Sequence, residues 1–214
     1  MKLHLTDMRV LKPLLFFGLS LPLLWLLWQW GLLFTGKTGA LGANPIEATN
    51  RFLGDTALRI LLLTLAITPI RDVIKWAPIT RFRRMIGLFA FFYVSLHLVS
   101  YFGMDLLFSV TALLKDIAKR TYITLGMTGF VLLIPLALTS TNTMIRRLGP
   151  KRWNRLHKLV YLIALLGVLH YFFMTKGNQP GPWLHLGILL LLLGWRVVKS
   201  NSLYKFNGIK IARR

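Results

Sequence analysis

Long uncharged runs alternate with short basic ones along most of this chain, and that alternation predicts membrane helices. Pro13 to Phe34 is 22 residues without a charge, behind Lys2, Arg9 and Lys12. Met85 to Met104 gives 20 such residues and Thr121 to Ile145 gives 25. No charge falls between Lys158 and Lys176, and a further apolar run leads from Pro182 to about Arg196. About 20 apolar residues rising 1.5 Å each cross a hydrocarbon core about 30 Å thick, so runs of this length can span a bilayer. The stretch 56–75 is the weakest, because Arg59 and Arg71 leave only 11 uncharged residues, ILLLTLAITPI, between them. By length alone it fits a buried helix of a soluble protein; beside five other candidates it is expected to span, its arginines snorkelling or meeting something anionic. The expectation is an all-α integral membrane protein, a single domain over 1–214, with spans near 13–34, 56–75, 85–104, 121–145, 157–175 and 182–196.

Between the runs, local signals set boundaries. Asn44-Pro45-Ile46-Glu47 reads as an N-cap, a proline at the first helical position and a glutamate at the third, which predicts a short surface helix after the glycine-rich loop. Asp105 to Arg120 mixes apolar residues with Lys115, Asp116 and Lys119, the pattern of an amphipathic helix on the membrane surface. Gly149-Pro150 ends any helix there. Ala40, Gly42 and Ala43 offer a competing reading of the first run as a cleaved signal, but 22 residues exceed the usual h-region of about 7–15.

Composition agrees with a membrane protein: 55% hydrophobic residues, 15% charged and a mean hydropathy of +0.59 over 214 residues. The net charge of +21 would point to nucleic acid if the basic residues formed a stripe on a polar domain, whereas here they cluster between apolar runs, and no nucleic-acid partner is expected. Alternating spans place the N-terminus, the 71–84 and 142–158 loops and the tail on one face, with 20 of the 27 lysines and arginines. That face is therefore expected in the cytoplasm, with both termini inside. The absence of cysteine excludes disulfides, Cys-bound clusters and covalent haem attachment, so a metal would be held mainly by histidine.

Four of the five histidines, His97, His157, His170 and His185, fall within the expected spans. His97 lies about 18 Å along the third span from Met85, and His170 about 20 Å beyond His157 on the fifth, so His97 and His170 are expected at matching depth. Two imidazoles facing each other at one level can fill both axial positions of a b-type haem. Gly167 and Ala164 leave room for a flat macrocycle, and Phe92, Tyr93, Tyr101, Tyr171 and Phe172 are candidates to pack around it, although such aromatics also serve as plain core. A buried histidine pair also suits a proton or ion pathway, or a purely structural role. His157 stands beside Lys158 as either a surface residue or a ligand, and 13 helical residues leave it roughly 140° from His170 around the axis, so a bend near the helix start, or a ligand outside the third span, would have to correct this. His4 and His185, near chain or helix ends, read as interfacial polar residues.

Several segments together, GANPIEATNRFLGDTALRILLLTLAITPIR, RFRRMIGLFAFFYVSLHL, TYITLG, LALTSTNTMIRRLGPKRWNRLHKLVYL and LHYFF, resemble one family over nearly the full chain. It is the MsrQ (formerly YedZ) family, the haem-binding membrane subunits of a periplasmic methionine sulfoxide reductase system, within the ferric-reductase-like transmembrane superfamily. One departure is Thr121, where proline is expected before the Tyr-Ile-Thr-Leu-Gly run. The resemblance implies a bacterial inner-membrane protein that binds b-type haem through His97, His157 and His170, with an FMN. It also implies electrons drawn from the quinone pool, or from a cytoplasmic flavin donor, and delivered to MsrP, a periplasmic molybdopterin enzyme that reduces methionine sulfoxide in proteins. In the wider superfamily two haems are held by two histidines on each of two helices. Counting back 13 or 14 residues from His97 reaches Arg84 or Arg83, so the fourth histidine is missing here.

The combined expectation is an electron-transfer subunit, with no substrate chemistry of its own, in which His97 and His170 are the axial ligands and His157 marks a second redox site. Arg59 is placed to meet a haem propionate or simply to snorkel. The rival readings are a proton or ion transporter, for which no repeated halves are visible, and a structural membrane anchor.

Overall fold

In the computed structural model, residues 8–37, 39–175 and 178–211 are described, with side chains to Lys199, and all regular structure among them is helical. His4 and Lys176 lie outside the described residues. The helices are α1 (Met8–Phe34), α2 (Pro45–Ile74), α3 (Arg83–Ser100), α4 (Val110–Lys119), α5 (Thr121–Leu138), α6 (Asn142–His157), α7 (Leu159–Met174) and α8 (Pro180–Ile211). A 3-10 helix, Ala77–Phe82, leads into α3, and a π-helical turn, Tyr101–Asp105, ends it. Five segments are long and apolar enough to cross a membrane: Met8–Phe34, Ala77–Asp105, Thr121–Leu138, Asn142–Met174 and Pro180–Lys199.

The second run departs most from expectation. No separate surface helix precedes it: the Asn44 cap, whose side chain accepts from Glu47 N, opens a continuous helix of 30 residues. This helix supplies the centre of the core, burying Leu53, Ala57, Leu58, Ile60, Leu61, Leu62, Leu65 and Ile67. Its charges carry their own counterions. Arg59 pairs with Asp55 one turn earlier, Arg71 with Asp72, and Asp72 also with Lys199 of α8. Arg59 and Arg71 keep their side chains at the surface, 67% and 37% exposed, so the buried face of α2 is formed mainly by its apolar residues.

Two other boundaries shift. The fourth run stops being α-helical at Leu138 instead of near Ile145, because Thr139 and Ser140 turn their hydroxyls back onto the Pro135 and Leu136 carbonyls and Thr141 caps a new helix by accepting from Met144 N. Gly149, at φ 72°, breaks α6 as the Gly-Pro pair implied. The fifth run, expected over 157–175, is α7 from Leu159 to Met174, with the helix interrupted at Lys158, between α6 and α7. The basic tail, in contrast, continues α8 as helix to Ile211.

α3 packs along α2, and α7 along α5, more extensively than any other helix pairs. α1 is joined to the bundle by Trp30 Nε1, which donates to Thr49 Oγ1 at 2.9 Å, and by Tyr93, whose buried hydroxyl donates to Leu19 O at 2.8 Å and accepts from Leu23 N at 3.1 Å, bridging both partners of one helical rung. Tyr93 is thus core holding α1, not a cofactor wall as the sequence allowed.

Candidate haem and redox sites

His97 and His170 are brought together from α3 and α7. Their ring centroids lie 6.1 Å apart, with the planes at 79°. Each ring is held in the same way by the neighbouring helix. His97 Nδ1 donates to Asn50 O at 2.9 Å, and a Cβ on Gly54, one turn further along α2, would stand 3.0–3.1 Å from the ring. His170 Nδ1 donates to Tyr122 O at 2.6 Å, and a Cβ on Gly126, one turn further along α5, would stand 2.8 Å from that nitrogen. A carbonyl four residues before a glycine therefore anchors each imidazole, and the missing side chain is what lets the ring lie against the helix.

The chemistry follows from the tautomer. A carbonyl only accepts, so Nδ1 carries the hydrogen in both rings and each Nε2 keeps its lone pair. A metal-ligating histidine ordinarily donates its other ring N–H to such a partner, which fixes its orientation. Two imidazoles bonded through Nε2 to one iron have centroids about 6 Å apart at ordinary metal–nitrogen distances of about 2 Å, which the observed separation matches. The donor set therefore fits a bis-histidine haem.

His157 is presented differently. Thr139 Oγ1 donates to Pro135 O, so its oxygen accepts from His157 Nε2 at 3.2 Å, and the ring stacks on Trp153 with centroids 3.8 Å apart. Trp153 Nε1 in turn donates to Thr139 O. His157 opens onto a cavity of about 300 Å³ whose lining includes Arg83, Arg84, Lys158 and Arg196 and no carboxylate. Arg196 is fixed there by donating to Leu65 O and Leu192 O and by lying 5.2 Å above the Tyr161 ring. The two arginines found in place of a fourth histidine thus line the same cavity as His157.

Of the remaining site expectations, Arg59 pairs with Asp55, and Gly167 faces Leu58. Phe172 packs on Trp183. His185 corrects the sequence reading: it is buried, 4% exposed, against Asp55 and Tyr171, because α8 turns that face onto α2 and α7 rather than to an interface. Asn50, Gly54, Tyr122 and Gly126 are not among the site residues expected from sequence. Their available signal was glycine inside apolar helices, where it costs stability unless something must approach closely.

Residues 53–168 match the family described as ferric reductase like transmembrane component. A protein of Rhodospirillum rubrum described as protein-methionine-sulfoxide reductase heme-binding subunit MsrQ is 54% identical, the alignment covering 86% of each chain. Its counterpart of the same description in Caulobacter vibrioides is 51% identical over 82% of this chain and 81% of its own. The one in Xanthomonas euvesicatoria is 45% identical over 92% and 90%. With apolar helices long enough to cross a bilayer, two clamped histidines meeting between them, and this likeness along most of its length, the chain is a multi-pass membrane protein that belongs to the MsrQ family of ferric-reductase-like transmembrane proteins.

Proposed function

We propose that this protein is a haem b electron-transfer subunit of the bacterial inner membrane, serving a periplasmic methionine sulfoxide reductase of the MsrP type. The observation that carries the reading is the pair of imidazoles whose Nδ1 atoms are committed to Asn50 O and Tyr122 O while the rings meet 6.1 Å apart. Haem bound there supplies a one-electron carrier. The protein's own part is to hold both Nε2 atoms in line through backbone carbonyls and to keep the site dry. We further propose six spans, with α2 crossing as the central one, and both termini in the cytoplasm, so that the basic cavity faces inward and the His97–His170 pair lies nearer the periplasm.

The cavity beside His157 is proposed as a second redox site. Its four cationic side chains suit a phosphate-bearing group such as FMN. A second haem on His157 would have to displace the Thr139 hydroxyl from Nε2, or use Nδ1, so the flavin reading is the better fit. Electrons would come from the quinone pool or from a cytoplasmic flavin donor.

The test is spectroscopic. The purified protein is expected to show a low-spin haem Soret band that His97→Ala and His170→Ala each abolish and His185→Ala retains. A wild-type spectrum in His97→Ala would refute the ligand assignment, and a colourless wild type would favour the transporter or anchor readings. Flavin and pyridine haemochrome assays on His157→Ala test the second site: loss of bound flavin with one haem retained is expected, and unchanged contents of both would leave His157 without a redox role.

A further inference from the structure

α2 carries Pro69 in its interior, and proline has no N–H to give to the carbonyl four residues back, Leu65 O. A side chain of α8 supplies the missing donor. Arg196 Nη2 donates to Leu65 O at 2.6 Å, Nη1 donates to Leu192 O at 2.8 Å within its own helix, and the guanidinium carbon stands 5.2 Å from the centroid of the Tyr161 ring on α7. Beyond the proline, Lys199 pairs with Asp72, so α8 is tied to α2 on both sides of Pro69. Of the five N–H groups of a guanidinium, two are spent on these carbonyls, and the rest are left for a ligand.

The same arginine lines the cavity beside His157. The other three cations of that cavity are held less firmly. Arg84 donates to Asn142 Oδ1, whereas Arg83 and Lys158 make no hydrogen bond or ion pair among the described residues. With no carboxylate in the lining, the four like charges have no counterion there, and a cleft of one sign draws in the opposite one. A volume of about 300 Å³ stands at the small end of ligand pockets, room for a phosphate and the first part of whatever carries it.

We propose that this cavity contains a phosphate-ester subsite whose fixed member is Arg196, pinned by the carbonyl that Pro69 leaves without a donor, and whose remaining members are Arg83 and Lys158. The inference rests on the reading of the cavity as a ligand site and adds which group is recognised and by which residues. A pinned guanidinium loses little further freedom when it binds, and its planar fork matches two phosphate oxygens, so it fixes direction as well as charge. A mononucleotide and the headgroup of an anionic phospholipid present the same oxygens, the second from the bilayer itself.

The test uses the detergent-purified full chain and three probes: FMN, riboflavin, which is the same ring system without the phosphate, and phosphatidylglycerol. By flavin fluorescence anisotropy, FMN is expected to bind at least about 10-fold more tightly than riboflavin, the scale of a charge-assisted hydrogen bond, and Arg196→Gln and Arg83→Gln are each expected to bring the two flavins level. Arg196→Gln keeps an N–H for Leu65 O, and Arg83→Gln alters a side chain without a partner, so the second variant reads the subsite even where the first disturbs the fold. The pin is checked by thermal unfolding: Arg196→Met is expected to lower the unfolding temperature by about 5 °C, and Pro69→Ala, which returns an N–H to Leu65 O, to remove most of that shift. Flavins bound alike or not at all, with phosphatidylglycerol retained by the wild type in native mass spectrometry and lost from both glutamine variants, would support the subsite with a lipid headgroup as its ligand; absent flavin binding would then remove the flavin reading alone. An FMN preference kept in both variants, or equal flavin binding with no variant-sensitive phosphatidylglycerol, would overturn the subsite while the flavin reading stands. Binding of none of the probes would overturn both, and an Arg196→Met shift unchanged by Pro69→Ala would overturn the pin.

Discussion

At the scale of single residues, two glycines decide where the imidazoles stand. Alanine in a helix interior is ordinarily favoured over glycine by about 1 kcal/mol. At Gly126 the sign is expected to reverse, because the added methyl would lie 2.8 Å from His170 Nδ1 and 3.1 Å from Cε1. Gly126→Ala should therefore lower stability by about 1–3 kcal/mol and reduce haem occupancy, as read by thermal unfolding and the haem-to-protein ratio. A stabilised, fully loaded variant would mean that the ring does not rest on α5. The histidines themselves were legible from depth along their runs. Their anchors were not, because a backbone carbonyl has no sequence signature and a glycine in an apolar run does not say which neighbour it admits. His185 was misread for a related reason: its distance from a helix end is visible in sequence, and the face it turns inward is not.

At the scale of elements, one hydroxyl from α3 reaches into the backbone of α1. Tyr93 sits in the Leu19–Leu23 rung of α1, one residue beyond Pro22, and satisfies both backbone groups. Tyr93→Phe is expected to cost about 1–3 kcal/mol by leaving them unpaired in an apolar setting, lowering the unfolding temperature without moving the Soret band. A spectral shift would mean that Tyr93 reaches the cofactor after all. Element existence followed from uncharged length, but three boundaries did not. The α5–α6 break depends on hydroxyls of Thr139, Ser140 and Thr141 turning back on the chain, a choice that threonine and serine leave open in an apolar run. The turn at Lys158 was only implied, through the angular mismatch of His157 and His170. The length of α2 was not legible either, because Arg59 and Arg71 interrupt the uncharged run and hydropathy does not show that both lie towards the surface beside Asp55 and Asp72.

At the scale of the whole molecule, the basic loops and the cationic cavity fall at the same end. Reporter fusions are expected to place Gly39 in the periplasm and the C-terminus in the cytoplasm. A periplasmic C-terminus would invert the orientation and put the His157 cavity on the wrong side for a cytoplasmic flavin donor. The charge bias was fully legible in sequence. The convergence of Arg83, Arg84, Lys158 and Arg196, drawn from three helices and the turn at Lys158, on one cavity was not.

The two imidazole clamps also set a timetable for biogenesis. His97 is anchored by α2, so its half of the site is complete once α3 has left the translocation machinery. His170 is anchored by α5, and its half waits for α7, seventy-odd residues later. The two clamps share no residue, each lying within one helix pair of a common core, so a haem between them would bolt one pair to the other. Haem added before α7 is inserted would find a single ligand. Chains made during haem starvation should accumulate with both halves folded but unbolted, as a pool that is ready for rapid loading and exposed to membrane proteases until it occurs.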